Sequence, residues 1–325
     1  MSQTGSFTFS NLISAISDYG RFTKAVIKHH PQLTHINTAF GLSFVKHSVC
    51  VLIARLLGSR VLLHPHCGFS ALYTDQARWW QWFFRQILRL TNGVITLSSE
   101  WNKLNTIMPG STVYYLPNAI DLTAFRAVAL ERKAVAMYPH QLKVLYLGSL
   151  GKAKGSFDLV EAAKEISTKN RPVIFDLVGE ELGTGEVEQL KKQIDQAGLV
   201  NVVILHPVVM GLKKLDFYRE ADIFIYPSYS EGMPIAVIEA MACGLPIIAT
   251  RVGGLPDLVS DGFNGLLVDV GRANQLVSAL QTLSSNPELR FAMQLNSYLT
   301  ASEKFDIEKL VTRLVSIYCT VLKGA

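Results

Sequence analysis

The chain has 325 residues, of which 49% are hydrophobic and only 18% charged, a composition that suits two large buried cores and excludes a disordered chain. Its net charge of +5 is uneven: residues 1–122 carry ten Lys/Arg against four Asp/Glu, and the remainder carries 21 against 22. The basic end suits an anionic partner such as a membrane surface, nucleic acid or phosphorylated substrate, and equally suits simple solubility. A helix is predicted over residues 10–29. Short apolar runs read as strands follow: "LTHIN", "RVLLH", "GVITLS" and "TVYYLP". Between them "FVKHSVCVLIARLLG" and "DQARWWQWFFRQILRL" have helical length and period. The text then turns irregular from about Ser111 to Met137, which reads as a connection between domains.

The second half alternates more cleanly. "KVLYLGS", "PVIFDLVG", "NVVILHP", "DIFIYPS" and "PIIAT" read as strands, with "FNGLLVD" a shorter one, and "SFDLVEAAKEIS", "VEQLKKQIDQAGL", "LKKLDFYREA" and "PIAVIEAMACG" as the helices between. Residues from Arg272 to Lys323 read as helical. Alternation of strand and helix predicts parallel sheets covered on both faces, hence two doubly wound α/β domains with ligands at the carboxyl ends of strands. The domains are placed at 1–122 and 143–303, with 123–142 connecting them. Cys50, Cys67, Cys243 and Cys319 stand far apart, with no Cys-x-x-Cys and no zinc spacing, so neither disulfides nor a metal site is indicated. The start "MSQTGSFTFS" is not a secretory signal, and no run of about 18 apolar residues spans a membrane, so a cytoplasmic location is expected.

Several stretches carry chemistry. In "SEGMPIAVIEAMACG", Pro234 suits the first turn of a helix and Gly244 the residue past its end. The free N–H groups from Gly232 to Ala236, with the helix dipole, make an anion site suited to a diphosphate. Glu231 and Glu239 flank that N-terminus, and a carboxylate accepts hydrogen bonds from neighbouring sugar hydroxyls. Read alone, Glu231 is equally a dipole-favoured surface residue and Glu239 an ion-paired one. "YLGSLGKAKGSFDLVEA" places Lys152 and Lys154 in a glycine-rich loop after a strand, where lysine suits phosphate. "VGEELGTGE", beginning near Gly179, is similarly placed. In "LLHPHCGFS", His64 and His66 follow a strand end and suit either a substrate hydroxyl or neighbouring backbone. The helix from Arg78 to Arg89 interleaves Arg78, Arg85 and Arg89 with tryptophan and phenylalanine. It suits a membrane interface or, alternatively, an ordinary crossover helix. A Gly-x-Ser-x-Gly elbow is absent, as is an Asp-x-Asp metal bridge.

Taken together these residues resemble the retaining, nucleotide-sugar-dependent glycosyltransferases with two facing Rossmann-like domains, the GT-B enzymes grouped as family four. The resemblance covers nearly the whole chain and is strongest from Lys143 to Asp269. Its most specific part is the Glu–seven residues–Glu pattern in "PSYSEGMPIAVIEAMACGLPIIAT", continued by "RVGGLPDLVSDGFNGLLV" and preceded by "LPNAID" with Asn118 and Asp121. The resemblance implies that Glu239 binds the nucleotide ribose and Glu231 the donor-sugar hydroxyls. The free N–H groups of the stretch Gly232, Met233, Pro234 and Ile235 would hold the diphosphate. Lys154 falls on the family's phosphate-binding lysine, with Gly148, Ser149, Lys152 and Gly179 on the donor side. His66 looks like the amino-domain histidine of the reaction centre, and His64 and His66 lie on the acceptor side. Glu231, His66 and Lys154 are the implied catalytic set, with no divalent metal and no cofactor beyond the nucleoside diphosphate sugar itself. Residues 304–325 resemble the last helix, which returns toward the first domain.

Two departures stand out. Ser149 occupies the place of the family's usual arginine, with Lys152 a non-equivalent substitute. The family's first strand and its glycine-rich loop have no counterpart before "FTFSNLISAI". Either the start is truncated or misassigned, or the first domain is built without that strand, which would leave a strand edge unpaired and remove part of the acceptor side. The function expected is sugar transfer to a hydroxyl of a glycan or lipid-linked acceptor, in surface or exopolysaccharide biosynthesis, without nucleic acid. It would take place in the cytoplasm, at the inner face of the membrane where the Arg78–Arg89 helix makes peripheral contact. The alternatives are a catalytically impaired nucleotide-sugar-binding or partner protein of the same fold, and a sugar-nucleotide epimerase.

Overall fold

The computed structural model describes residues 9–132, 141–167, 173–181, 183 and 185–324, and it divides into two compact units. The first comprises residues up to Pro117 together with Leu310–Ala325, and the second runs from Asn118 to Lys309.

In the first unit, α1 (Phe9–His29) precedes β1 (Leu33–Thr38), α2 (Leu42–Leu56), β2 (Arg60–Pro65), α3 (Arg78–Arg89), β3 (Gly93–Thr96), α4 (Lys103–Ile107) and β4 (Val113–Tyr115). The four strands form a parallel sheet in the order β1-β2-β3-β4. Parallel strands need covered faces, and here the residues on β1 and β2 sort by parity. Ile36, Val61 and Leu63 join Phe44 and Val51 of α2 and Phe84 and Ile87 of α3 in one core. Phe44 lies at its aromatic centre, with ring centroids 5.7, 5.9 and 5.3 Å from Trp80, Phe83 and Phe84. Between β2 and α3 the chain makes a π-helical turn, Ser70–Thr74, unforeseen from sequence. Glu100 holds its start by accepting hydrogen bonds from the N–H groups of Phe69 and Ser70 at 3.0 and 3.2 Å.

The second unit begins with α5 (Thr123–Arg132), then β5 (Leu142–Leu147), α6 (Ser156–Ser167), β6 (Val173–Val178), α7 (Glu186–Gln196), β7 (Val203–His206), α8 (Lys214–Glu220), β8 (Ile223–Tyr226), α9 (Ile235–Ala242), β9 (Ile247–Thr250), α10 (Leu255–Leu258), β10 (Gly265–Val268), α11 (Ala273–Ser285) and α12 (Pro287–Lys304). Its six described strands are parallel in the order β10-β9-β8-β5-β6-β7. The chain works outward from β5 to β7, then crosses back to start again at β8. The switch point, where an open α/β sheet takes its ligand, therefore lies between β5 and β8.

Two local expectations change. The strand expected at "TVYYLP" forms as β4, but the stretch read as irregular also holds a helix, α5, whose first turn is capped by Asp121 Oδ1 accepting from the Thr123 N–H at 2.9 Å. Residues 133–140 of the expected connection lie outside the described residues. The helical tail is broken twice: at Asn286, whose side chain caps α12 ahead of Pro287, and at Phe305, before α13 (Ile307–Lys323). From Leu310 onward α13 belongs to the first unit, where Leu310, Ile317 and Val321 are buried and the Arg60 guanidinium donates to the Val321 carbonyl.

Candidate functional site

The loops that leave β5 and β8 at the switch point interlock. After β8, residues Pro227–Pro234 are held from several sides. Thr250 Oγ1 donates to the Ser228 carbonyl at 2.5 Å, the Tyr229 N–H to the Ala153 carbonyl at 3.0 Å, and the Gly254 N–H to the Gly232 carbonyl at 2.8 Å. The Asn118 side-chain amide donates to the Met233 carbonyl at 2.7 Å. Pro234 is the extended N-cap of α9 rather than its first helical residue, and Ile235 begins the helix. After β5, Gly155 sits at φ +72°, where a Cβ would fall 2.2 Å from the Pro227 carbonyl oxygen, so the two loops approach as backbone against backbone. At the neighbouring strand end the approach is equally close: a Cβ on Gly179 would lie 1.9 Å from the Gly148 carbonyl oxygen.

This packing brings Lys154 and Glu231 together. Lys154 Nζ lies 2.5 Å from Glu231 Oε1, with both side chains largely buried. Beneath Glu231 the rings of Tyr146 and Tyr226 stack with centroids 5.6 Å apart. Burial, with the charge of Glu231 adding to it, raises the pKa of both phenols. Glu239, on the second turn of α9, is buried and faces α8. Its Oε1 accepts from Lys214 Nζ at 2.5 Å and its Oε2 from the Tyr218 hydroxyl at 2.8 Å. Tyr218 is fully buried; burial first, then the Glu239 charge, keeps its proton on well above the ordinary phenol range. Glu239 is thus satisfied on both oxygens, as a buried carboxylate must be.

The other sequence-predicted donor-side residues are less engaged. Ser149 contributes its carbonyl, which accepts from the Tyr146 hydroxyl at 2.6 Å. Lys152 is exposed, its ammonium 5.7 Å above the Phe157 ring and its N–H donating to Glu186 at 3.1 Å, so it does not join Lys154 against Glu231. In the first unit, His64 lies within β2 rather than after it and His66 follows the strand; the two form a column with His35, with ring centroids 5.2 Å (His35–His64) and 4.3 Å (His64–His66) apart. His35 bridges Tyr318 of α13 (2.6 Å to its hydroxyl) and His64 (3.1 Å). His66 Nε2 lies 3.0 Å from Asn37 Oδ1. His64 Nε2 is buried without a hydrogen-bond partner among the described residues. Those residues also include no group of three or more His, Cys, Asp or Glu arranged for a metal ion.

The pattern of residues 129–300, more than half the chain, matches the family model described as glycosyl transferases group 1. The chain belongs to that family. Among curated proteins it is similar to the D-inositol 3-phosphate glycosyltransferase of Arthrobacter sp. (strain FB24), at 35% identity over 179 residues, 54% of this chain and 42% of that one. The chain spans about half the length of the curated relatives it matches. Among solved structures it resembles sucrose-phosphate synthase from Thermosynechococcus elongatus (TM-score 0.81, 21% identity, 99% of this chain and 83% of that one). It also resembles Anabaena HepE in complex with UDP (TM-score 0.77, 20% identity, 93% and 81%). At these identities the likeness shows the fold: two parallel α/β sheets of the GT-B kind.

In this group 1 glycosyl transferase, sequence reasoning missed Lys214, Tyr218, Tyr146 and Tyr226. "LKKLDFYREA" offers two adjacent lysines and no mark of which one turns inward. The tyrosines look like ordinary strand and helix core. Only the pairing of α8 with α9, and of β5 with β8, brings them to the two glutamates.

Proposed function

We propose that this chain is a retaining glycosyltransferase of the family-four kind that moves a sugar from a nucleoside diphosphate sugar to a hydroxyl of a glycan or lipid-linked acceptor. The observation that carries this reading is the Lys154–Glu231 contact at the switch point between β5 and β8. It puts a cation, a carboxylate and the N-terminus of α9 in one crevice. The cation and the helix dipole suit the two phosphates, and the carboxylate suits sugar hydroxyls. Lysine carries three N–H donors, so Lys154 can hold Glu231 and a phosphate oxygen together. Glu239, fixed by Lys214 and Tyr218, presents an acceptor edge to a ribose diol. As the glycosidic bond to the diphosphate breaks, negative charge grows on the leaving phosphate, and Lys154 with the α9 N–H groups stabilises it in place. Under this reading the nucleoside diphosphate sugar is the only small molecule required besides the acceptor.

Glycan and lipid-linked acceptors fit the expected place in surface polysaccharide biosynthesis. The relatives' names add inositol 3-phosphate to the acceptors worth testing. Among the described residues no helix is long and apolar enough to cross a membrane. In this reading, work on a lipid-linked acceptor at a cytoplasmic membrane face uses peripheral contact through α3. The test is release of nucleoside diphosphate from a panel of donors with and without acceptors, comparing wild type with Glu231→Ala. Equal rates would remove the role given to Glu231. Calorimetric binding of nucleoside diphosphates without turnover on any acceptor would leave a binding protein of the same fold.

A further inference from the structure

A crossover helix in a parallel sheet must bury one apolar face, and α3 does so with Trp80, Phe84, Ile87 and Leu88. Trp79 and Trp82 are not needed for that: they are 68% and 64% exposed, one turn apart on the outward side. Phe40 and Leu42, at the start of α2, extend the apolar surface, with the Phe40 ring 6.4 Å from that of Trp80. At the other end of α3 a cavity of about 430 Å³ opens, lined by Arg85, Arg89, Thr91, Asn92, Ser111 and Thr112 among others, with no carboxylate among its described walls. Arg85 is held in place by a hydrogen bond from Nε to the Tyr73 hydroxyl at 2.7 Å, and Arg89 by one to Gln86 at 3.0 Å. Neither arginine, nor Arg78, makes an ion pair among the described residues. The first unit as a whole holds 12 Lys/Arg against 3 Asp/Glu, whereas the second holds 19 against 23.

We propose that the outward face of α3 docks on an anionic phospholipid surface, with a headgroup phosphate seated in the Arg85–Arg89 cavity and Trp79 and Trp82 in the interfacial layer. The geometry meets two requirements at once. A cavity with fixed guanidinium groups and hydroxyls but no acid suits a phosphate oxyanion. Exposed tryptophans beside arginines suit the boundary between headgroups and acyl chains. A soluble phosphate would account for the cavity but not for the two tryptophans, so the membrane surface is the occupant that uses both. The cavity lies at the amino ends of β3 and β4, opposite the carboxyl ends at which such sheets take their ligands.

This inference rests on the membrane-contact part of the proposed function, and the vesicle measurement that decides it needs neither donor nor acceptor. The full chain is sedimented with vesicles of phosphatidylcholine alone and of phosphatidylcholine with phosphatidylglycerol. Binding is expected on the anionic vesicles and is expected to weaken with added salt. Arg85→Gln with Arg89→Gln should lower the partition constant about 30-fold, since a cation near an anionic surface is worth about a factor of five. Arg89→Gln and Trp82→Ser, both at exposed positions that leave the core intact, should each lower it several-fold. Absence of vesicle binding would overturn the proposal, as would equal binding to both vesicle types or an unchanged partition in the arginine variants. So would retention of a short duplex DNA in place of vesicles with the same arginine dependence. Sugar transfer measured on the same variants with a water-soluble acceptor should match wild type, which separates failure of docking from failure of the catalytic reading.

Discussion

Lys154 and Glu231, 77 positions apart in the chain, meet at 2.5 Å because the loops after β5 and β8 pack backbone against backbone. Each is the other's nearest compensation in a largely buried place, so removing one leaves a charge stranded. Glu231→Gln and Lys154→Met are each expected to lower kcat/KM for the nucleotide sugar by about 10²-fold or more. The double variant should cost little more than the worse single one, since the two act as a unit. Steady-state kinetics of all three variants checks this. Additive losses would mean that the contact does not serve the reaction.

Glu239 makes a second cluster whose members separate structure from binding. Tyr218→Phe strips Glu239 Oε2 of its buried donor and should lower the stability of the second unit by about 1–3 kcal/mol. Glu239→Gln keeps an acceptor for Tyr218 but presents a weaker one to a ribose, and nucleoside diphosphate affinity should fall about tenfold. Calorimetry on the two variants, beside thermal melts, checks the pair. Unchanged affinity in Glu239→Gln would confine Glu239 to holding α8 against α9.

What was legible in the sequence is what depends on local pattern. Pro234 and Gly244 marked α9 to within one residue at each end, Pro234 proving to be its N-cap, and the parallel sheets followed from apolar runs alternating with helical period. The glutamate pair stood out because charge is rare in that stretch. What was not legible depends on which elements meet. Lys213 and Lys214 are indistinguishable until α8 packs beside α9. Lys152 and Lys154 share one loop, yet one lies over Phe157 and the other reaches Glu231. The helix α5 was hidden because "TAFRAVALER" has a weak apolar stripe between the junction "LPNAID" and an irregular run. Its identity as a helix comes from the Asp121 cap and from burial of Val128, Ala129 and Arg132. Arg132 itself donates to the carbonyls of Tyr218, Arg219 and Ala221 at the end of α8, a role no linear pattern announces.

Gly253 and Gly262 separate two ways in which a glycine matters. Both have positive φ, +52° and +78°. A Cβ on Gly262 would meet nothing within 4 Å, whereas one on Gly253 would lie 1.8 Å from the Glu231 carbonyl oxygen. Gly262→Ala should therefore cost only the backbone strain of about 1–2 kcal/mol and leave donor affinity alone. Gly253→Ala must also push the Glu231 loop aside. It should melt earlier than Gly262→Ala and bind the nucleotide sugar more weakly. Thermal melts and donor titrations of the two variants decide it. Equal behaviour would mean that the Glu231 loop yields freely.

The histidine column gives the first unit a pH-dependent stability whose sign is fixed by burial. Burial, with His66 and His35 beside it, pushes the His64 pKa from its ordinary 6.5 down to about 3. Burial first, then the neighbouring His66, lowers His35 as well. Tyr318 faces the column from α13 and stays protonated, its pKa raised by burial. The unfolded chain binds a proton at His64 near pH 6.5, whereas the folded chain does not until near pH 3. The stabilising contribution is therefore complete above about pH 6.5 and is lost as the pH falls toward 3. Between pH 6.5 and 5.0 one such histidine costs about 2 kcal/mol, with His35 adding to it. All four tryptophans (Trp79, Trp80, Trp82 and Trp101) lie in the first unit, so tryptophan fluorescence in urea reads this unit's unfolding selectively. Wild type should lose stability from pH 7 to pH 5, and His64→Leu should lose about 2 kcal/mol less over the same interval. An identical pH slope in the two proteins would show that His64 takes up its proton as readily in the folded column as in the unfolded chain.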